Sequence, residues 1–292
     1  MCVSKPKGEH AKEGEYTPLE LMAVCAARAI RDGETVFVGT GLPMIGALLA
    51  KRTHAPRAKI LYEAGFIDSG AIDLALSIAD SRLGYRAAAM LGLIEALGCA
   101  LQGGHVDVGF VGAAQIDEYG NINTTYVGPL VEEPVELGEG FPSVKLSFDF
   151  DRIKAGERLV RLPGSGGGND IVSSAKRIVI VMRHDKRKFV KKLDYMTSPG
   201  HLTGPGARKK AGLLGGGPEL VITNMCLMDF DERTKRIRLK SAHPGFTVED
   251  VLNNVSFDLI VPERVPQTEP PTYEELEILR EIDKEGLYLG RR

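Results

Sequence analysis

An acid at the end of an apolar run is the first group in this chain whose position asks for a chemical explanation. Glu63 follows Lys59-Ile60-Leu61-Tyr62, which reads as a buried parallel strand, and precedes Ala64-Gly65, which reads as the tight turn leaving it. In an open α/β sheet, ligands bind in the crevice beyond the carboxyl ends of the strands. A carboxylate there is a candidate nucleophile, weak in water but stronger where water is excluded and the electrophile is held against it. Its structural alternative is an acid that accepts hydrogen bonds from the N–H groups of its own turn.

Three glycine-rich segments accompany Glu63. Gly39-Thr40-Gly41-Leu42-Pro43 reads as a strand-to-helix turn whose free backbone N–H groups can hold an anion or an acyl oxygen, or simply as a tight turn. The second segment runs from Gly103-Gly104 through Gly112-Ala113-Ala114-Gln115-Ile116-Asp117 to Gly120-Asn121-Ile122-Asn123, where glycines permit positive-φ turns and amides supply donors. Pro163-Gly164-Ser165-Gly166-Gly167-Gly168-Asn169-Asp170 is the third. It has the look of a dinucleotide fingerprint but does not follow the first strand, its acid comes too early for a ribose, and no Walker lysine follows. The alternatives are a loop bringing backbone amides close to a ligand and a flexible connector.

Other reaction classes lack their residues. His10, His54, His105, His184, His201 and His243 make no H-E-x-x-H, and Cys2, Cys25, Cys99 and Cys226 make no C-x-x-C, so no metal site is expected. No G-x-S-x-G elbow is present. His243-Pro244-Gly245 reads as a structured turn with ligand contact as its alternative. The basic run 183–188, with Lys191 and Lys192, reads as a solvated helix face or as a contact for the phosphates of a large anion.

The elements that would position these groups alternate in type. Thr17 N-caps a helix with Pro18 at its first position and Glu20 completing a capping box, and Asp32-Gly33 stops it. Strands are expected over 35–38, 59–62, 106–111, 177–182 and 220–223, with helices over 44–51, 87–101, 247–252 and 273–282. An antiparallel hairpin is expected from 225–230 and 236–239. The fold class is therefore α/β, an open, mainly parallel, doubly wound sheet with a hairpin elaboration. Residues 1–16 form a polar leading segment and 17–292 one domain. Residues 132–157 make an excursion from its core, and 203–217 a mobile surface loop.

With 292 residues, 43% hydrophobic and 26% charged, the composition is that of an ordinary globular protein. A net charge of -2 offers no electrostatic argument for nucleic acid or an anionic membrane. The apolar stretch 87–101 is too short to span a bilayer and contains Glu95, the leading residues do not form a secretory signal, and scattered cysteines suggest reduced thiols. A cytoplasmic location is expected.

Taken in order, these segments resemble the β subunit of family I coenzyme A transferases, nearest to the glutaconate-specific branch. The resemblance is carried by Gly39-Thr40-Gly41-Leu42-Pro43, Glu63-Ala64-Gly65, the Gly112–Asp117 and Gly120–Asn123 motifs, Leu162 to Asp170, and His243-Pro244-Gly245, and it spans residues 18–283. It implies that Glu63 is the covalent nucleophile, carrying a glutamyl-CoA thioester, and that Asn123 and the backbone amides of Gly164, Gly166, Gly167 and Gly168 stabilise the oxyanion. Gly39 and Gly41 would hold the acyl group. It further implies no metal or other cofactor, coenzyme A acting as substrate, a carboxylic acid such as the dicarboxylate glutaconate, and a separate α subunit, as α2β2. A CoA-ester hydrolase or decarboxylase on the same fold, and a ligand-sensing module, are the rival readings; the glutamate weighs against the first and the lack of a helix-turn-helix against the second.

Overall fold

The computed structural model describes residues 8–70, 74–136 and 142–290. Its centre is a nine-stranded sheet. Five strands run parallel in the order Lys59–Tyr62, Thr35–Val38, Val108–Val111, Arg177–Val181 and Pro218–Ile222. Cys226–Phe230 and Ile237–Ala242 extend one side as the expected antiparallel hairpin, and Phe66–Ile67 with Ala89–Met90 extend the other.

Both faces of the sheet are covered, which is why its strands read as continuous apolar runs. Val36, Val38, Ile60 and Tyr62 pack on one face beneath the helices Pro18–Arg28, Leu42–Arg52 and Tyr273–Ile282. Phe37, Leu61, Ile178 and Ile180 point to the other face, with helix Val248–Asn253 contributing Val251. Strand periodicity alone produces this division, since successive side chains alternate.

The first helix starts as its residues dictate: the Thr17 hydroxyl accepts from the Glu20 N–H at 3.2 Å and the Glu20 carboxylate from the Thr17 N–H at 2.8 Å. Gly46 lets the second helix approach it, because a Cβ there would meet Ala26 Cβ at 2.8 Å. The leading segment is not loose throughout, since Ala11 is buried and donates to Pro271 O.

Three expectations are corrected. Residues 87–101 do not form one core helix: Ala89–Met90 pairs at the sheet edge, Ile94 is 81% exposed, and a π-helix follows over Glu95–Gln102. Gly92 and Gly98 weaken a continuous helix here, and edge pairing takes the first half. The run 183–188 is a turn rather than a helix face, with Arg187 folded onto Asp185. The 203–217 segment is a packed structure around a buried arginine. Within the excursion, Leu130–Glu136 and Pro142–Phe148 form an antiparallel hairpin, followed by helix Phe150–Lys154; residues 137–141 lie outside the described residues.

Candidate active site

Parallel register brings three strand ends together. Val38 lies opposite Tyr62, so Gly39 and Glu63 leave neighbouring strands at the same edge, and Gly112 leaves the next strand beside them. These residues line a cleft of about 340 Å³ whose apolar walls include Phe37, Phe110, Ile122 and Ile171. A roomier groove of about 760 Å³ lies beside the starts of strands Arg177–Val181 and Pro218–Ile222. Its arginines Arg28, Arg31, Arg177 and Arg238 are already paired with Glu275, Glu219, Glu34 and Asp229, and it holds none of the residues singled out for chemistry.

Glu63 is half-buried, just past the strand, where the Gly65 N–H donates to Tyr62 O at 2.8 Å. Gly65 has φ +94°, and a Cβ on it would collide with the carbonyl of Leu91, so the turn requires glycine. The Gly167 N–H donates to Glu63 Oε1 at 3.0 Å. Oε2 accepts no hydrogen bond from any described residue. The acid is thus held from the glycine loop, not by its own turn.

That loop is tied down on both sides. Thr124 O accepts from the Gly164 N–H at 2.9 Å while the Thr124 hydroxyl donates to Gly164 O at 2.8 Å, and Ser165 O accepts from the Gly168 N–H. Gly164 and Gly166 have φ values of +96° and +49°, which a side chain would strain. Of the four expected loop amides, Gly167 therefore holds Glu63, Gly164 and Gly168 bond within the loop region, and the Gly166 N–H has no acceptor among the described residues. The N–H groups of Gly39, Gly41 and Gly112 likewise have none, although Gly41 caps helix Leu42–Arg52 and does not line the cleft.

Asn123 is not brought to the cleft. Its side chain is 0% exposed, and its amide nitrogen donates to Gln115 Oε1 at 2.8 Å and to Tyr126 O at 2.5 Å. Its amide oxygen accepts from the Thr125 N–H. Both amide hydrogens are engaged, so an oxyanion donor role is replaced by support of the 122–126 turn. Thr124 and Ile122 face the cleft instead. The signal that would have found Thr124 is the alternation of side chains in extended chain, which puts 122 and 124 on one face and 123 on the other.

The buried thiols Cys25 and Cys226 and the buried His201 and His243 lie away from the cleft lining. Burial pushes the Cys25 and Cys226 thiols up to about 12, and holds His201 and His243 down to about 4. His243 sits between Thr268 and Thr223 O, which makes its segment a structured turn. No three His, Cys, Asp or Glu side chains gather as metal ligands, and no helix is long and apolar enough to cross a membrane, among the described residues.

Comparison with known proteins places the chain in one family. The family model described as coenzyme A transferase matches residues 19–254. The chain is similar to one of the subunits of 3-oxoadipate CoA-transferase from Pseudomonas knackmussii, 39% identical over 92% of this chain and 94% of that one. It is 37% identical to one of the subunits of glutaconate CoA-transferase from Acidaminococcus fermentans, over 91% and 92% of the two chains. The solved structure of glutaconate coenzyme A-transferase from that organism superposes with a TM-score of 0.80 and 34% identity, covering 95% of this chain and 99% of the other.

Proposed function

The chain belongs to the coenzyme A transferase family, and from that premise we propose that Glu63 carries CoA between an acyl-CoA donor and a dicarboxylic acid as a glutamyl-CoA thioester. The protein is a CoA-transferase; the covalent route and the substrate class are the proposal. The observation that carries it is the division of labour within one carboxylate. Oε1 is held by the Gly167 N–H, and Oε2 is left without a bond at the cleft.

Oε2 attacks the thioester carbonyl, and the CoA thiolate leaves to give a mixed anhydride. The thiolate then attacks the glutamyl carbon and expels the donor's carboxylate, forming glutamyl-CoA. An incoming carboxylate attacks that thioester, thiolate leaves again, and its attack on the new acyl carbon releases acyl-CoA and free Glu63. When thiolate attacks the glutamyl carbon, negative charge grows on Oε1, where the Gly167 N–H already donates. Charge on the substrate carbonyl can be met by the unengaged N–H groups of Gly39 or Gly112, both at the cleft and fixed before the reaction begins. Binding of the long CoA tail can press the thioester onto Glu63.

The two relatives are each named as one subunit of a CoA-transferase, and those enzymes are named for 3-oxoadipate and glutaconate, both dicarboxylates. For this chain we propose, on that support, a separate α subunit completing the cleft, in an α2β2 assembly, and a dicarboxylate acceptor.

The test incubates the complex with an acyl-CoA, traps with hydroxylamine or borohydride, and maps peptides by mass spectrometry. A modification on the peptide bearing Glu63, absent in Glu63→Ala, together with ping-pong kinetics, is the expected result. Free CoA released without an acceptor and an unmodified Glu63 would establish a hydrolase instead. Binding without turnover would establish a sensor.

A further inference from the structure

We propose that Arg161 binds the far carboxylate of the dicarboxylic acid, fixing substrate length and charge from the rim of the cleft while the near carboxylate reacts at Glu63. This rests on the dicarboxylate reading above and assigns it to a residue. Arg161 belongs to a short strand, Val160–Arg161, that pairs antiparallel with Tyr126–Val127 and leads directly into the Leu162-Pro163-Gly164 wall. Its guanidinium lies 4.8 Å from the Tyr126 ring centroid. Two of its nitrogens come within 3.8 and 3.9 Å of where a Cβ on Gly164 would project. The same loop bonds Glu63 through Gly167, so one rigid loop separates the nucleophile from this cation.

The charge of Arg161 is unspent. Arg28, Arg177 and Arg238 each engage a carboxylate at 2.6–2.8 Å. Arg161 has no carboxylate within ion-pair distance among the described residues, and its one protein acceptor is Thr125 O at 3.3 Å. Stacking on an aromatic face holds the guanidinium plane while leaving its edge N–H groups free, the geometry that favours bidentate carboxylate binding.

The ring beneath it is itself fixed. Tyr126 makes edge contacts with Phe148 at 6.0 Å and Tyr195 at 6.1 Å between centroids. Phe148 closes the excursion hairpin opposite Leu130, so the root of that hairpin becomes part of the wall supporting Arg161. Glycine at 164 is favoured by its positive φ, while the guanidinium lies at ordinary contact distance from where a side chain would begin.

The experiment uses the complex with its α subunit, acetyl-CoA as donor, and glutarate or pentanoate as acceptor. These acids share chain length and differ in the far carboxylate. Arg161→Met is expected to lower the glutarate-to-pentanoate ratio of kcat/KM by about tenfold or more, mainly through KM for glutarate, with KM for acetyl-CoA unchanged. Arg161→Lys, which keeps charge but not the planar fork, should restore part of the ratio, and Lys154→Ala on the exposed helix should keep all of it. An unchanged ratio in Arg161→Met, with the Glu63 adduct still trapped, overturns the assignment and leaves the covalent reading standing. A rise in KM for acetyl-CoA with the ratio intact also overturns it, assigning Arg161 to CoA phosphate. A wild-type enzyme that does not prefer glutarate overturns both the assignment and the dicarboxylate reading.

Discussion

Two glycine-rich loops of similar composition are put to opposite uses in this molecule. In the loop 163–168, which walls the cleft, a glycine turns its backbone N–H onto the Glu63 carboxylate. In the segment 199–217, Gly200, Gly215 and Gly216 let backbone pack directly against backbone. Arg208 is buried there, donating to the carbonyls of Gly200 and Gly215 and of the adjoining Pro199, and to those of Val172 and Ser173 far away in sequence. Burial pulls its guanidinium down to about 10, still charged at neutral pH. Five carbonyl oxygens answer one buried cation, so this loop is a structural staple. Glycine content alone does not say whether amides are freed or consumed; the partner brought against them does.

One substitution, made in each loop, separates the two uses. At Gly167 the backbone φ of -77° accepts any residue, but a Cβ would sit 2.9 Å from Glu63 Cδ and 3.1 Å from Oε1. The obstructing atoms end a flexible side chain, so Gly167→Ala displaces the carboxylate at small cost in stability. We expect kcat to fall about 100-fold with little change in Tm, measured by transfer assay and thermal melting. An unaltered kcat would mean that the Gly167 contact does not set the reactive geometry.

At Gly215 the obstruction is backbone. A Cβ there would collide with the carbonyl oxygen of Ala175 and lie 3.0 Å from the carbonyl carbon of Ser174. Gly215→Ala should therefore destabilise the chain by about 2 kcal/mol in denaturant titration, with kcat preserved in the folded fraction. If it melted like the wild type, the segment would be far looser than its packing implies.

The smallest expected effect is on pH. His201 in the same segment is buried, bonds Pro218 O through Nε2 at 2.9 Å, and rests edge-on against Phe230. Burial holds it down to about 4, so the unfolded chain binds its proton first as pH falls. Its contribution is thus fully present above about pH 6.5 and is lost as pH drops towards 4. His201→Gln should flatten this acid limb by roughly 1–2 kcal/mol, while the limb from His243, also held down to about 4, remains. A limb unchanged in the variant would remove His201 as its source.

Much of the scaffold was legible locally. The Thr17 and Glu20 box starts a helix because its bonds join residues three apart. The strand 177–181 was legible because burial on both faces demands an unbroken apolar run. The failures have one cause as well. Residues 87–101 carry an apolar run suited to helix, yet pairing with Phe66–Ile67 and support from Gly65 decide otherwise. Arg208 and its neighbours read as a surface loop because the carbonyls that bind Arg208 include Val172 and Ser173, some 35 residues away.

The same division runs through the site. Sequence alone determined that an acid ends a buried strand and that glycine turns leave the neighbouring strands, because strand period and turn chemistry act over a few residues. It did not determine that Oε1 is held and Oε2 is free, since Gly167 lies 104 residues from Glu63. Nor did it decide that Asn123 turns inward to Gln115 and Tyr126 while Thr124 takes its place at the cleft. Hydrogen-bond direction is fixed only when distant backbone and side-chain partners meet, and that meeting is the work of the tertiary fold.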